Sequence, residues 1–169
     1  EFRRVLFRSK IKERIFISPI IVEIFTAMKD FKNKVVVITG AGSGIGRALA
    51  ISFAKSGAKL ALNDFNASTL AESVELIKKD GAEVFEASFD VSNRDAMKKF
   101  AGDVVNQFGC VDVVINNAGI GLGDYSVDQV DLDLFERVMD INFYGVLYGS
   151  HYFIPHLLKQ PEAVLDRKS

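Results

Sequence analysis

The sequence has a single cysteine, Cys110. It can form no internal disulfide, so a reducing, cytoplasmic setting is expected. Neither sequence neighbour of Cys110 is charged, and the residue reads as a small buried filler at the start of a strand, not as a reactive thiol. No excess of charge is present either: 21 Lys and Arg stand against 22 Asp and Glu, for a net charge of −1. That gives no electrostatic reason to expect nucleic acid or an acidic membrane as a partner. No apolar run is long enough for a bilayer, which takes roughly 20 apolar residues. The stretch IFISPIIVEIF before Met28 is interrupted by Pro19 and Glu23. Together with the basic RRVLFRSKIKER it mimics a signal peptide, but no small-x-small cleavage site follows it. There is no internal repeat, no low-complexity segment and no metal-ligand motif. The 169 residues, 49% of them apolar, suit one domain with a real core.

From Lys34 onward two periods alternate. VVVIT (Val35 to Thr39) is a β-branched run of the kind buried on both faces of a sheet. GIGRALAISFAKSG follows at helical period and stops at Gly57. KLALND (Lys59 to Asp64) predicts a second strand, ASTLAESVELIKKDG a helix closed by Gly81, and EVFEASFD a third strand. SNRDAMKKFAGDVVNQFG predicts a third helix with Ser92 as N-cap and Asp95 three residues on, an acidic relative of the capping box. VDVVIN (Val111 to Asn116) predicts the fourth strand, and helical pattern runs from about Asp131 to Lys159. Pro155 marks a bend or the final turn of that helix. Short connections between alternating strands and helices predict an α/β fold: a doubly wound parallel sheet with helices on both faces.

TGAGSGIG (Thr39 to Gly46) joins the first strand to the first helix. Gly40 can turn sharply off the strand because it lacks a Cβ. Gly44 and Gly46 permit close approach at the helix tip, where free N–H groups and a partial positive charge favour a pyrophosphate. A glycine-rich turn without a ligand is the plain alternative.

This stretch resembles the TGxxxGIG fingerprint of the short-chain dehydrogenase/reductase family, in its classical subgroup. Three further motifs agree in order: Asp90–Val91 after the third strand, NNAG from Asn116 to Gly119, and NFYG from Asn142 to Gly145. The resemblance covers Met28 to about Ala163 and implies a Rossmann fold. It implies a dinucleotide bound by Thr39, Gly40, Ser43, Gly44, Ile45, Gly46, Asp64, Asp90, Val91, Asn117, Ala118 and Gly119. Asp64 would accept hydrogen bonds from the adenosine ribose hydroxyls and repel a 2′-phosphate. Relatives that prefer NADP carry a basic residue near these positions, where this chain has Ser43 and Phe65, so NAD is the expected cofactor over NADP. Asp90 and Val91 would border the adenine, the carboxylate taking its exocyclic amine. Asn116 is expected to be structural. Asn142 would sit at a helix irregularity and hold a water of the proton relay; the alternative is a core asparagine satisfied by neighbouring backbone. Tyr144, Tyr148 and Tyr152 form a stripe read as packing or a subunit interface. The implied reaction is hydride transfer between the nicotinamide and a secondary alcohol or carbonyl substrate. The parent protein is expected to be a homodimer or homotetramer built on the long helix. A non-catalytic binding or sensor protein, or an epimerase or lyase on the same fold, are the other readings.

The family's reaction centre is lacking. It needs a serine after the fifth strand and a Tyr-x-x-x-Lys pair, in which lysine lowers the pKa of the tyrosine acid/base. Four positions after Tyr125, Tyr144, Tyr148 and Tyr152 stand Gln129, Tyr148, Tyr152 and His156. The termini suggest why. EFRRVLFRS (Glu1 to Ser9) is encodable by a string resembling a common short-read sequencing adapter, and DRKS (Asp166 to Ser169) by its complementary strand. The expected layout is a non-native leader over residues 1–27, an incomplete NAD-binding domain over 28–165 and an adapter-derived tail over 166–169. The fifth strand should begin near Val164, where the chain stops, so the sheet would end after about four strands and the following long helix, with the fourth strand an unpaired edge.

Overall fold

The computed structural model describes residues 28, 30–79, 81–123, 126 and 128–167. The leader, the last two residues and the Asp124–Tyr125 part of the loop after the fourth strand lie outside the described residues. The elements run β1 (Val35–Thr39), α1 (Gly44–Lys55), β2 (Lys59–Asp64), α2 (Ala67–Lys78), β3 (Val84–Ser88), α3 (Arg94–Phe108), β4 (Val113–Asn116), α4 (Leu132–Met139), a π-helical segment (Asp140–Gly145), α5 (Val146–Leu157) and β5 (Val164–Arg167). The sheet is parallel throughout, in the order β3-β2-β1-β4-β5. The chain therefore crosses from one side of β1 to the other between β3 and β4. That reversal leaves a crevice outside the carboxyl ends of β1 and β4.

Strand pleating divides the core into two layers. Val36 and Ile38 of β1, Leu60 and Leu62 of β2, and Val113 and Ile115 of β4 pack against Leu49 and Phe53 of α1 and Leu70, Val74 and Ile77 of α2. Val35, Val37, Ala61 and Val114 face the opposite way, onto Met97, Phe100 and Val104 of α3 and Phe153 and Leu157 of α5. All five residues of β1 are buried, which is why its sequence shows no polar alternation. Each fully buried large side chain contributes about 1.5–3 kcal/mol. Phe53, Phe100 and Phe153, the largest of them, hold the two helical layers to the sheet.

Two sequence expectations need correction. The fifth strand starts at Val164 as expected, but the chain continues far enough to pair it: Val164 to Arg167 lies in register with Val113 to Asn116, so β4 is not the unpaired edge expected. Pairing uses backbone groups, so a segment with two charged side chains can join a sheet. The N-cap of α3 is Asn93, whose side chain accepts from Ala96 N, not Ser92. The Ser92 hydroxyl donates instead to Asp90 Oδ1, at 2.7 Å. The long helix carries the irregularity expected at Asn142: six residues of π-helix separate α4 from α5, and α5 ends at Leu157, short of Lys159. Pro155 lies in its last turn.

Candidate functional site

Three helices of this chain that follow loops or strands start on a side-chain cap: Asn66 for α2, Asn93 for α3 and Asp131 for α4. Helix α1 starts without one. Its N-cap, Ser43, makes no side-chain cap bond, and its first turn holds no acidic residue. The first amides of α1 are thus left for something else, and they open on the crevice.

The turn around them is tight. Gly40 has φ +67°, a left-handed conformation costly for other residues. A Cβ on Gly46 would fall 2.1 Å from the Gly40 carbonyl oxygen and 2.6 Å from Asn117 Nδ2. Asn117 ties this turn to the end of β4 by donating to the carbonyls of Thr39, at 2.9 Å, and Gly40, at 3.2 Å. Thr39 Oγ1 accepts from Ala118 N at 3.1 Å. Asn116 points to the other side, toward Ser150 Oγ at 3.4 Å, in the structural role expected of it.

The Gly42 peptide is held at both ends. Its N–H donates to Asp64 Oδ2 at 2.8 Å, and its carbonyl accepts from the Arg47 guanidinium at 2.5 Å. Arg47 also donates to Ser73 Oγ and Thr69 O and pairs with Glu72. Its charge is therefore spent inside the α1–α2 contact. The second oxygen of Asp64 accepts from Asn66 N at 2.9 Å. A carboxylate offers about four acceptor positions, so these bonds leave one on each Asp64 oxygen.

At the end of β3, Asn63 donates to the carbonyls of Ala87 and Phe89 and fixes the backbone leading into Asp90. Burial pushes the Asp90 carboxyl up, but hydrogen bonds from Ser92 and Arg137 outweigh it and hold the group below the usual carboxylate range. The Cys110 thiol, by contrast, is pushed up, first by burial and then by the nearby Asp112. A raised value keeps the thiol protonated, although Cys110 is half-buried and lies ahead of β4, not buried at the start of a strand as expected.

These groups surround one cavity of about 480 Å³. Of the residues expected at the site, Gly40, Ser43, Gly44, Ile45, Gly46, Asp64, Asp90, Val91, Asn117, Ala118 and Gly119 line it. Thr39 is buried behind the glycine turn. Asn142 does not line the cavity. Its side chain accepts from Ile120 N at 2.9 Å and donates to Ile120 O at 2.8 Å. Asn142 does lie on a helix irregularity, the π segment. Its carboxamide keeps one N–H and one acceptor position beyond these two bonds. The cavity also includes Phe65, weighed above for cofactor preference, and Arg137 and Ile141, neither of which the sequence motifs assigned to the site. Arg137 is the one basic residue of α4, and nothing in the local pattern couples it to Asp90, far earlier in the chain.

The profile of the family described as short chain dehydrogenase matches residues 34–165. The chain belongs to the short-chain dehydrogenase family. SadH of Mycobacterium tuberculosis, named as an oxidoreductase, is 45% identical over 131 residues, which make up 78% of this chain and 47% of SadH. The uncharacterized oxidoreductase YxbG of Bacillus subtilis is 34% identical over 142 residues, covering 84% of this chain and 52% of YxbG. Among solved structures, a short-chain dehydrogenase/reductase from Burkholderia phymatum in complex with NAD superposes with a TM-score of 0.77 at 36% identity. The match covers 82% of this chain and 50% of that one. The chain thus spans about half the length of each of these relatives.

Proposed function

We propose that this chain binds NAD in the crevice at the ends of β1 and β4, and that it is part of an oxidoreductase acting on a secondary alcohol or carbonyl. The observation that carries this reading is the pairing of Asp64 with the uncapped start of α1. One unused acceptor position on each Asp64 oxygen matches the two hydroxyls of a ribose. The free amides of α1, with glycines where a Cβ would collide, suit a pyrophosphate beside it. A 2′-phosphate would meet the Asp64 carboxylate, and Arg47 is committed to Gly42, Thr69, Glu72 and Ser73, so NAD fits better than NADP.

Asp90 borders the adenine in this reading, through the acceptor position left on its Oδ2. Asn117, Ala118 and Gly119 line the path toward the nicotinamide, and NAD so bound supplies hydride transfer. Asn142 sets the position of Ile120 and the chain after β4, and keeps an N–H and an acceptor position with which to hold a water. Tyr-x-x-x-Lys does not occur in this sequence, so the 169-residue chain binds dinucleotide without turning it over. NADH production by this polypeptide from any secondary alcohol would overturn that statement.

The exposed apolar side chains of Leu132, Phe135, Met139, Phe143, Tyr144 and Leu147 support self-association of the parent protein through α4, the π segment and α5. No helix among the described residues is long and apolar enough to cross a membrane.

Titration of the chain with NAD and NADP tests the cofactor reading. NAD should bind at least about tenfold more tightly. Asp64→Asn, which keeps an oxygen for Gly42 N–H and removes the charge, should erase most of that difference. Equal affinities in the unsubstituted chain would refute the assignment.

A further inference from the structure

Arg137 is the charged group of the cavity that no motif explains. It sits in the last turn of α4 and reaches the end of β3. One terminal nitrogen, Nη2, donates to Asp90 Oδ2; the other, Nη1, donates to Ser92 Oγ at 3.0 Å. Ser92 Oγ donates in turn to Asp90 Oδ1 at 2.7 Å, and Ser92 N to the same oxygen at 2.9 Å. Asp90, Ser92 and Arg137 close a ring of three side chains.

The ring limits what Asp90 can still do. Of about four acceptor positions on a carboxylate, Ser92 takes both on Oδ1 and Arg137 takes one on Oδ2. The position that remains is on Oδ2, the oxygen whose direction Arg137 sets. The backbone at this point is secured independently. Asn63 holds the Phe89 carbonyl at 3.0 Å, and Asn93 N donates to Asp90 O at 2.9 Å. What Arg137 adds is the rotation of the carboxylate, not the course of the chain.

We propose that Arg137 is a positioning residue for adenine recognition: its forked grip on Asp90 and Ser92 aims the remaining Oδ2 acceptor at the exocyclic amine of an adenine in the cavity. This rests on the reading of the cavity as a dinucleotide site. The fork matters because a guanidinium can address Asp90 and Ser92 at once with two nitrogens in one plane, which an ammonium does less well. The placement also links two parts of the site. Val138 is the one buried residue of α4, so Arg137 is the polar tether that holds this helix, and the π segment after it, to the adenine end.

The test is a cycle of NAD titrations on the full 169-residue chain, with R137M, D90A, the double substitution and R137K. R137M alone should weaken NAD about tenfold, the scale of one charge-assisted hydrogen bond. In the presence of D90A it should cost nothing further, because the group it acts through is gone. R137K should recover part of the loss. If R137M does not fold by circular dichroism, R137K is read in the same cycle with and without D90A, and its smaller loss should likewise vanish once D90A is present. Losses that add in the double variant, or an unchanged affinity in R137M, would overturn the proposal while leaving the dinucleotide reading intact. No NAD binding by the unsubstituted chain would overturn that reading and this proposal together.

Discussion

Asn142 grips Ile120 through both main-chain polar groups of one residue, accepting its N–H at 2.9 Å and donating to its carbonyl at 2.8 Å. A side-chain carboxamide here does what a neighbouring strand would do, for a stretch of chain that has left the sheet. Gly119 accommodates the contact: a Cβ there would come within 3.1 Å of Asn142 Oδ1.

The substitution Asn142→Asp keeps the acceptor and sets a second oxygen against the Ile120 carbonyl. At neutral pH it should destabilise by about 1–2 kcal/mol, and by more than Asn142→Ala. The gap between the two variants should close as pH falls below about 4, where a protonated carboxyl can donate again. Urea unfolding at neutral and acidic pH reads the difference.

Gly46→Ala should cost about 2–3 kcal/mol by overpacking and abolish dinucleotide binding, since the new methyl would lie 2.1 Å from the Gly40 carbonyl oxygen. Gly102→Ala makes the control. It lies inside α3, and a Cβ there meets nothing within 4 Å. It should stabilise by about 0.5–1 kcal/mol and leave binding alone. Thermal melts with and without NAD distinguish the two.

Asp90 gives the fold an acid limb. Its carboxyl is depressed in the folded chain because hydrogen bonds from Ser92 and Arg137 overcome the upward push of burial. A depressed folded value means that the contribution is complete above the unfolded pKa, about 3.9, and is lost as pH falls through the lower folded value. Asp90→Asn should flatten the decline in urea midpoint below about pH 4. An acid limb identical in both proteins would contradict the assignment.

At the far end of the sheet, Lys34 Nζ donates to Asp112 Oδ1 at 2.9 Å, and Asp112 Oδ2 accepts from Val35 N at 2.9 Å. The Lys34 side chain is 27% exposed and that of Asp112 only 5%. The bond to Asp112, against a smaller opposing effect of burial, raises the Lys34 pKa. The stability it confers is therefore present below the ordinary lysine value and lost as pH rises through the elevated one. Lys34→Met strands a buried carboxylate and should cost about 2 kcal/mol, with NAD affinity unchanged because the pair is remote from the cavity.

Strands β1 and β2 were legible to the residue, because β-branched and aliphatic runs bounded by Lys and Gly or Asp leave one reading. The start of β5 near Val164 was legible too, but not that the last residues would complete a paired strand, since Val164 to Arg167 carries half its length as charge. The cap at α3 slipped by one because Ser92 and Asn93 are both good caps, and Asp90 competes for the serine. The irregularity at Asn142 was implied by the NFYG motif, but not its extent over six residues, because one extra residue in a helical turn does not disturb an apolar pattern. At the site, glycine spacing and Asp64 pointed to a cavity that the fold does assemble. Arg137 could not be found that way. Its partner, Asp90, is brought to it by the crossover from β3 to β4, and no local periodicity records that.

On the proposed reading, Asp64 has two duties that cannot be separated. It holds Gly42 N–H, and so the shape of the glycine turn, with the same carboxylate that would discriminate between cofactors. A lineage drifting toward the phosphorylated dinucleotide could not simply discard the acid without loosening its own glycine turn. The open evolutionary route is through a side chain that still offers an oxygen at that spot, such as asparagine or serine, with a cation recruited from elsewhere because Arg47 is already employed.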